Sequence, residues 1–544
     1  MSLYTRLAWD GIRKNGRLYL PYILTCVGMV TMYYMMSELC DSYLLRYMKG
    51  GGASHLVLVL GSWVIAVFSA LFLYYTYSFL IRRRQKEFGL YHVLGLGKRH
   101  IALLCVIETA MTAVIALVAG LAIGVGVSFA VELGLRSTME VEMDFHFSVN
   151  PAILLQTVLV YLAIFVLTLL STLVKIDRGT AMSLLHSESY GEKPPKGNLF
   201  VAILGAVLLV VAYVMAVSIQ EPLKALALFF VAVILVILAT YLLFIAGSVA
   251  LCRMLQKNRN YYYQPRHFVS VSSMAYRMKR NGAGLASICI LATMVLVMLS
   301  SSACLYFGAE DSLNATYPNE FELSVWADDD ATLPRLEKGL TDAGAPYGVN
   351  VWEKGTVTRD VGELVWSAEF DTGLSTEQQL ALGHAIGEAL SGSGETWGYS
   401  YTLRAEAADD FYGTYGSLFF IGIVLSIMFI CAAVLIIYYK QLCEGYEDQP
   451  RFAIMQKVGM TAADIRRSVN SQLLTVFFLP LVGAALHMAF AFPMIRRMLL
   501  LFELHNTGLF VATVLISFAM LAVVYTLVYK ATSNAYYRIV KGSV

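Results

Sequence analysis

Ten stretches of this chain run for the length of a membrane crossing with almost no charge. They lie near 18–40, 57–81, 103–131, 151–174, 199–219, 224–251, 285–308, 413–439, 468–495 and 507–529. Roughly 20 apolar residues in a helix cross the hydrocarbon core, and a helix satisfies its own backbone polar groups there. The chain therefore reads as an all-α polytopic membrane protein. Its composition agrees: 58% of the 544 residues are apolar and 14% charged, against about 25% charged in soluble domains. The first stretch follows Arg6, Arg13, Lys14 and Arg17, but it is too long for a signal peptide and lacks a small-x-small cleavage site. It is read as a membrane helix, and the mature chain as the whole chain.

Ten crossings put both termini on one side. The N-terminus, the loops on its side and the C-terminal tail hold 29 of the 40 Lys and Arg, against 11 opposite. By the positive-inside rule both termini are expected in the cytoplasm. The loop at 309–411 is the one outer segment long enough to fold. Its 20 acidic and 5 basic residues give −15, whereas the whole chain carries +2. Alternating runs at Glu320–Trp326, Glu363–Phe370 and Trp397–Arg404 predict strands. Ser375 with Gln378 forms a capping box, and Leu382, Ile386 and Leu390 share one face of the helix it opens. A small α+β domain is predicted outside the membrane. Nucleic acid is not a partner that this charge balance suggests. The eight cysteines lie in or beside apolar runs without metal-ligand spacing, so neither a disulfide framework nor a metal site is expected.

An internal repeat organises the rest. The segment Glu87-Phe-Gly-Leu-Tyr-His-Val-Leu-Gly-Leu-Gly-Lys-Arg-His-Ile101 aligns without a gap to Arg451-Phe-Ala-Ile-Met-Gln-Lys-Val-Gly-Met-Thr-Ala-Ala-Asp-Ile465, at an offset of 364. Phe88 matches Phe452, Gly95 matches Gly459 and Ile101 matches Ile465; Leu90/Ile454, Leu94/Val458 and Leu96/Met460 are conservative. Arg13-Lys14-Asn15-Gly16 resembles Lys279-Arg280-Asn281-Gly282 at an offset of 266. The difference of 98 is close to the length of the outer domain. The repeat divides the chain into a first four-helix unit with its cytoplasmic segment (1–198), a connecting helix pair and cytoplasmic linker (199–284), the seventh helix (285–308), the acidic domain (309–411), and helices eight to ten with the second segment (412–544). Both units start on the same side, so the repeat is parallel, unlike the inverted repeats common in secondary transporters.

Little in the spans can titrate. Glu108 reads as a snorkelling residue near the cytoplasmic interface and His487 as a packed polar residue hydrogen-bonded between helices, so no ion relay is expected. Gly97-Lys98 is followed by Arg99 and has His92 where a phosphate loop needs glycine. The chain is therefore not read as an enzyme, and ATP energy must come from another subunit. The repeated segments, each with apolar residues at helical spacing (Phe88, Tyr91; Phe452, Met455) and a helix-ending glycine (Gly95, Gly459), are read as short helices between spans that such a subunit could grip.

Arg82-Arg-Arg-Gln-Lys-Glu-Phe-Gly-Leu-Tyr-His-Val-Leu-Gly-Leu-Gly-Lys-Arg99 resembles the coupling segment of the FtsX-like (MacB-type) ABC permeases. Ten helices with one outer domain between the seventh and eighth look more narrowly like the Bce-type permeases, over essentially the whole chain. Arg13 to Tyr22 and Glu444 to Met460 add to the likeness. The resemblance implies a bacterial plasma-membrane location, a homodimeric cytoplasmic ATPase that binds ATP and Mg, frequent association with a membrane histidine kinase, and removal of antimicrobial peptides such as bacitracin from undecaprenyl-type cell-wall lipids. The alternative is an FtsX-like mechanotransmission subunit controlling a cell-wall hydrolase. The outer domain is shorter than is usual for Bce-type members. The ATPase-coupling candidates are Glu87, Phe88, Gly89, Leu90, Tyr91, Leu94, Gly95, Arg451, Phe452, Ile454, Met455, Lys457, Gly459 and Met460. A lipid pyrophosphate needs outer cations, for which Arg46, Lys49, Arg136, Arg496 and Arg497 are the candidates, with Lys224 also on that side.

Overall fold

The computed structural model describes residues 3–41, 51–139, 149–178, 199–257, 265–327, 333–360, 363–391, 397–457 and 462–541. Among the described residues, ten helices are long and apolar enough to cross a membrane, in the order and near the positions that the apolar runs predict. The first unit consists of α1 (Leu3–Lys14), α2 (Gly16–Asp41), α3 (Gly51–Val93), α4 (Lys98–Met139) and α5 (Pro151–Arg178). α1 is amphipathic. Tyr4, Ala8, Gly11 and Ile12 share its inner face, with Arg6, Asp10, Arg13 and Lys14 on the outer one. The connecting pair is α6 (Leu199–Ser218) and α7 (Pro222–Leu242), continued through a π turn at Leu243–Gly247 into α8 (Ser248–Lys257). The second unit follows as α9 (Pro265–Phe307), α13 (Arg404–Lys457), α14 (Ala462–Leu499) and α15 (Thr507–Lys541).

The two units bury their small and aromatic residues against each other. α13 packs on α4 and α2 of the first unit. Phe420 lies so close over Gly134 that a Cβ there would meet its ring at 2.3 Å. In each unit the fourth helix carries a buried tyrosine whose hydroxyl donates to another helix: Tyr161 to the Met29 carbonyl at 2.6 Å, and Tyr525 to the Phe477 carbonyl at 2.8 Å. Their numbers differ by 364, so the repeat extends well beyond the segments in which sequence reveals it.

Between α9 and α13 lies the acidic domain. α10 (Ala309–Thr316) leads into β1 (Phe321–Ala327), α11 (Leu333–Gly344), β2 (Gly355–Asp360), β3 (Glu363–Phe370), α12 (Thr376–Ser391) and β4 (Trp397–Leu403). The sheet order β2-β3-β1-β4, antiparallel throughout, is that of a split βαβ fold. Phe321, Leu323 and Val325 of β1 and Trp366, Ala368 and Phe370 of β3 face a core closed by Leu336, Leu340, Leu382, Ile386 and Leu390. The Gln378 side chain accepts from the Ser375 N–H at 3.2 Å, completing half of the predicted capping box. β4 runs without a loop into α13, whose first residue, Arg404, donates its N–H to the Glu320 carbonyl at 3.0 Å.

Candidate functional site

At the end of the second span, α3 carries on past the bilayer to Val93. At 1.5 Å per residue its 43 residues span about 65 Å, twice the hydrocarbon thickness. The short helix predicted between spans is therefore the tail of a long one; between Ser78 and Phe88 no glycine or proline interrupts it. It ends at Gly95, whose φ of 97° only glycine adopts freely, as the helix-stop reading of that residue predicts.

The two sides of this tail differ. Leu90, Val93 and Leu94 are 52%, 64% and 72% exposed, whereas Phe88 is fully buried and Gly89 is buried beside it. Phe88 belongs to the inner face because Arg84, one turn earlier, also turns inward. Arg84 is 1% exposed and its guanidinium lies 5.1 Å from the Phe88 ring centroid. It donates from Nε to Glu87 at 2.9 Å and from Nη1 to Tyr19 at 2.7 Å, and Nη1 also pairs with Glu108, itself 3% exposed. Burial alone would lower the guanidinium pKa, but the oxygens of Tyr19, Glu108 and Glu87 outweigh it and push the pKa up. Burial, reinforced by Glu87, raises the Tyr91 hydroxyl pKa as well. Glu87 accepts from Asn15 Nδ2 at 2.8 Å, at the break between α1 and α2. Over this cluster lies Gly11 of α1, where a Cβ would stand 2.9 Å from Glu108 Oε1 and 3.0 Å from Arg84 Nη2. Glu108 is thus not a snorkelling residue. It is half of a buried ion pair, which removes its need to reach water.

On the side of the acidic domain, Arg496 is exposed at the end of α14, and Arg497 donates to the Val217 carbonyl at 3.1 Å, at the last turn of α6. Lys224 pairs with Glu221 at 2.8 Å on the surface. One turn below Arg497 begins a cavity of about 150 Å³, lined by Met36, Phe230, Met294, Phe429 and Ala491 among others. His487 borders it, with Tyr213 and Thr240 hydroxyls at 2.6 and 3.1 Å from its two ring nitrogens. That ties α14 to α6 and α7, the packed polar role that the sequence predicts.

Both units match the family model of the FtsX-like permease C-terminal domain, over residues 59–179 and 423–540. Each of the two units carries an FtsX-like permease domain. Across 90% of its length it is 22% identical to the ABC transporter permease protein YxdM of Bacillus subtilis strain 168, covering 93% of that protein. The bacitracin export permease proteins BceB of Halalkalibacterium halodurans and Bacillus subtilis are 26% and 24% identical over 59% and 58% of this chain. The chain spans about half the length of those two relatives. Permeases of this family work with an ATPase partner, and the chain is a multi-pass membrane protein whose relatives include Bce-type permeases.

The second copy of the repeated segment continues the eighth span in the same way as the first continues the second: Arg451, Phe452, Ile454, Met455 and Lys457 lie in the last turns of the 54-residue α13, and Gly459 and Met460 lie outside the described residues. Arg46 and Lys49 also lie outside them, and Arg136 is in the last turn of α4. The sequence reading missed Arg84, Asn15, Tyr19 and Gly11. One signal was available: Glu108 lies inside the third apolar stretch, and a buried acid requires a base, of which Arg82, Arg83 and Arg84 stand on the preceding helix.

Proposed function

We propose that this permease is the membrane subunit of a Bce-type transporter in which a homodimeric cytoplasmic ATPase, loaded with ATP and Mg, bends the spans and frees cell-wall lipid intermediates from antimicrobial peptides. In this reading the termini and both coupling segments are cytoplasmic and the acidic domain is outside, where its negative field draws cationic peptides. The observation that carries it is the apolar tip of α3. Leu90, Val93 and Leu94 are exposed at the cytoplasmic end of a helix whose other end crosses the membrane, so a subunit seated there holds a lever. The lipid target draws support from the exposed Arg496 beside an apolar cavity in the same half of the bilayer. Sensing through a histidine kinase is an extension of the same reading.

Leu90→Asp with Leu94→Asp puts charge on that tip without touching the buried face. The double variant is expected to fold, with an unchanged melting temperature, and to lose the ATPase on co-purification. Normal co-purification overturns the seat. Phe88→Asp, by contrast, puts an uncompensated carboxylate into the core, at a cost of several kcal/mol, and is expected to fail in folding rather than in assembly.

A further inference from the structure

The buried cluster under α1 draws its members from four places in the fold. Arg84 and Glu87 belong to the lever α3, Tyr19 to the first span, Glu108 to the third, and Asn15 to the break that leads into α1. Arg84 touches three of these groups at once, a geometry that its planar five-donor fork permits and that a lysine ammonium on a single stem does not reproduce. The pairing is also half used. Arg84 Nη2 and Glu108 Oε1 are shielded from solvent and have no hydrogen-bond partner among the described residues, although a guanidinium and a carboxylate can pair through two parallel bonds. The same two atoms face Gly11, where a side chain would hold them apart. Because the second pair of atoms is already in the dry pocket, the joint can move from one-point to forked pairing without exposing either charge. A salt bridge that had to break to move would meet the full penalty of an unpaired buried charge.

We propose that Arg84 is a positioning residue that passes movement of the ATPase-held lever α3 to the first and third spans, by re-seating on Glu108 from one-point to forked pairing beneath α1. The inference rests on the ATPase seat proposed above. It also makes the two halves of the permease unequal, since the positions 364 residues on from Arg84 and Glu108 carry Asp448 and Gln472, which cannot form this pair.

The test uses the full permease with its ATPase subunit in nanodiscs, with bioorthogonal spin labels at Leu133, exposed on the far end of α4, and Val511, exposed on α15. The distance between them is measured without nucleotide and with ATP and vanadate, together with ATPase retention and hydrolysis rate. The unsubstituted complex is expected to show a nucleotide-driven shift. Glu108→Gln keeps the shape and one hydrogen bond to Arg84 but removes the ion pair; Arg84→Lys keeps the charge and removes the fork. Each is expected to at least halve the shift while the ATPase stays bound and hydrolyses ATP, a split that a purely structural role would not give. Glu221→Gln, at the exposed pair with Lys224, is expected to leave the shift intact. If one of the two variants fails to fold, the other decides. A full shift in either folded variant overturns the proposal. Failure of the unsubstituted permease to bind the ATPase overturns the seat instead.

Discussion

The bases of the two four-helix units, at the ends away from the acidic domain, start from the same motif and part company at its asparagine. In the first unit the helix breaks at Asn15, so that α1 folds back over Arg84 and Glu108, and Gly16 has open space around it. In the second unit α9 runs straight through Lys279-Arg280-Asn281-Gly282, and Gly282 is pressed onto the π turn of the connecting pair, where a Cβ would meet the Phe244 carbonyl oxygen at 2.3 Å. Where the first base has Arg84, Glu108 and Tyr19, the second has Asp448 and Gln472 at the 364-residue offset and Leu285 at the 266-residue offset, the last buried. The helical frame and even the bracing tyrosines repeat; the chemistry at the base does not. A duplicated membrane fold is fixed by apolar packing, which tolerates divergence of the few polar residues that set how each copy responds.

The largest expected effect separates the copies at their charges. Among the described residues, Glu108→Leu leaves Arg84 with only the partly exposed Glu87 for a countercharge, and removing one member of a buried pair costs about 3–5 kcal/mol. Replacing both, Arg84→Met with Glu108→Leu, removes the two charges together and is expected to recover most of that loss. Gln472→Leu in the other unit has no such charge to orphan. Thermal unfolding of the purified permease checks all three, and equal losses for Glu108→Leu and Gln472→Leu would erase the distinction between the bases.

A middle-sized effect is expected at the paired glycines. Gly282→Ala forces its methyl against backbone that cannot rotate away, and overpacking of this kind costs about 1–3 kcal/mol. Gly16→Ala places the same methyl in open space in the first turn of α2, where removing glycine's freedom in the unfolded chain stabilises by about 0.4–1 kcal/mol. The two substitutions therefore shift the melting temperature in opposite directions. Two losses of similar size would mean that Gly16 is packed as tightly as its counterpart.

How far sequence reaches into this molecule depends on whether a residue's role is local. The ten spans follow from apolar length, β1, β3 and β4 from alternation, and Gly95 from helix-stop chemistry. β2 escaped because Gly355-Thr-Val-Thr-Arg-Asp360 is an edge strand with one apolar side chain, half exposed, and so has no alternation to read. Helical spacing correctly joined Phe88 to one face of its segment but could not say whether that face meets a partner or the protein's own core. Arg84, buried one turn away, answers that, and its partner Glu108 lies across a loop on another helix. Contacts between helices have no period, so the ion pair at the centre of the site left only the trace of an unexplained acid.

The smallest effect concerns what the copies share. Tyr161 and Tyr525 hold equivalent positions, and both hydroxyls donate to a main-chain carbonyl in another helix of their own unit. The Tyr161 hydroxyl also lies 3.0 Å from Ser69 Oγ on the second span, so it braces three helices where Tyr525 braces two. A buried hydrogen bond contributes about 0.5–1.5 kcal/mol net, and phenylalanine fills the same ring volume, so Tyr525→Phe is expected within that range. Tyr161→Phe leaves Ser69 Oγ without that contact as well, and is expected at the upper end of it. Melting temperatures of the two single variants and their double test this. The losses should add, because the tyrosines belong to separate units with no shared partner. A double variant much worse than the sum would show that the two units are braced as one body, and would narrow the contrast between them to their bases.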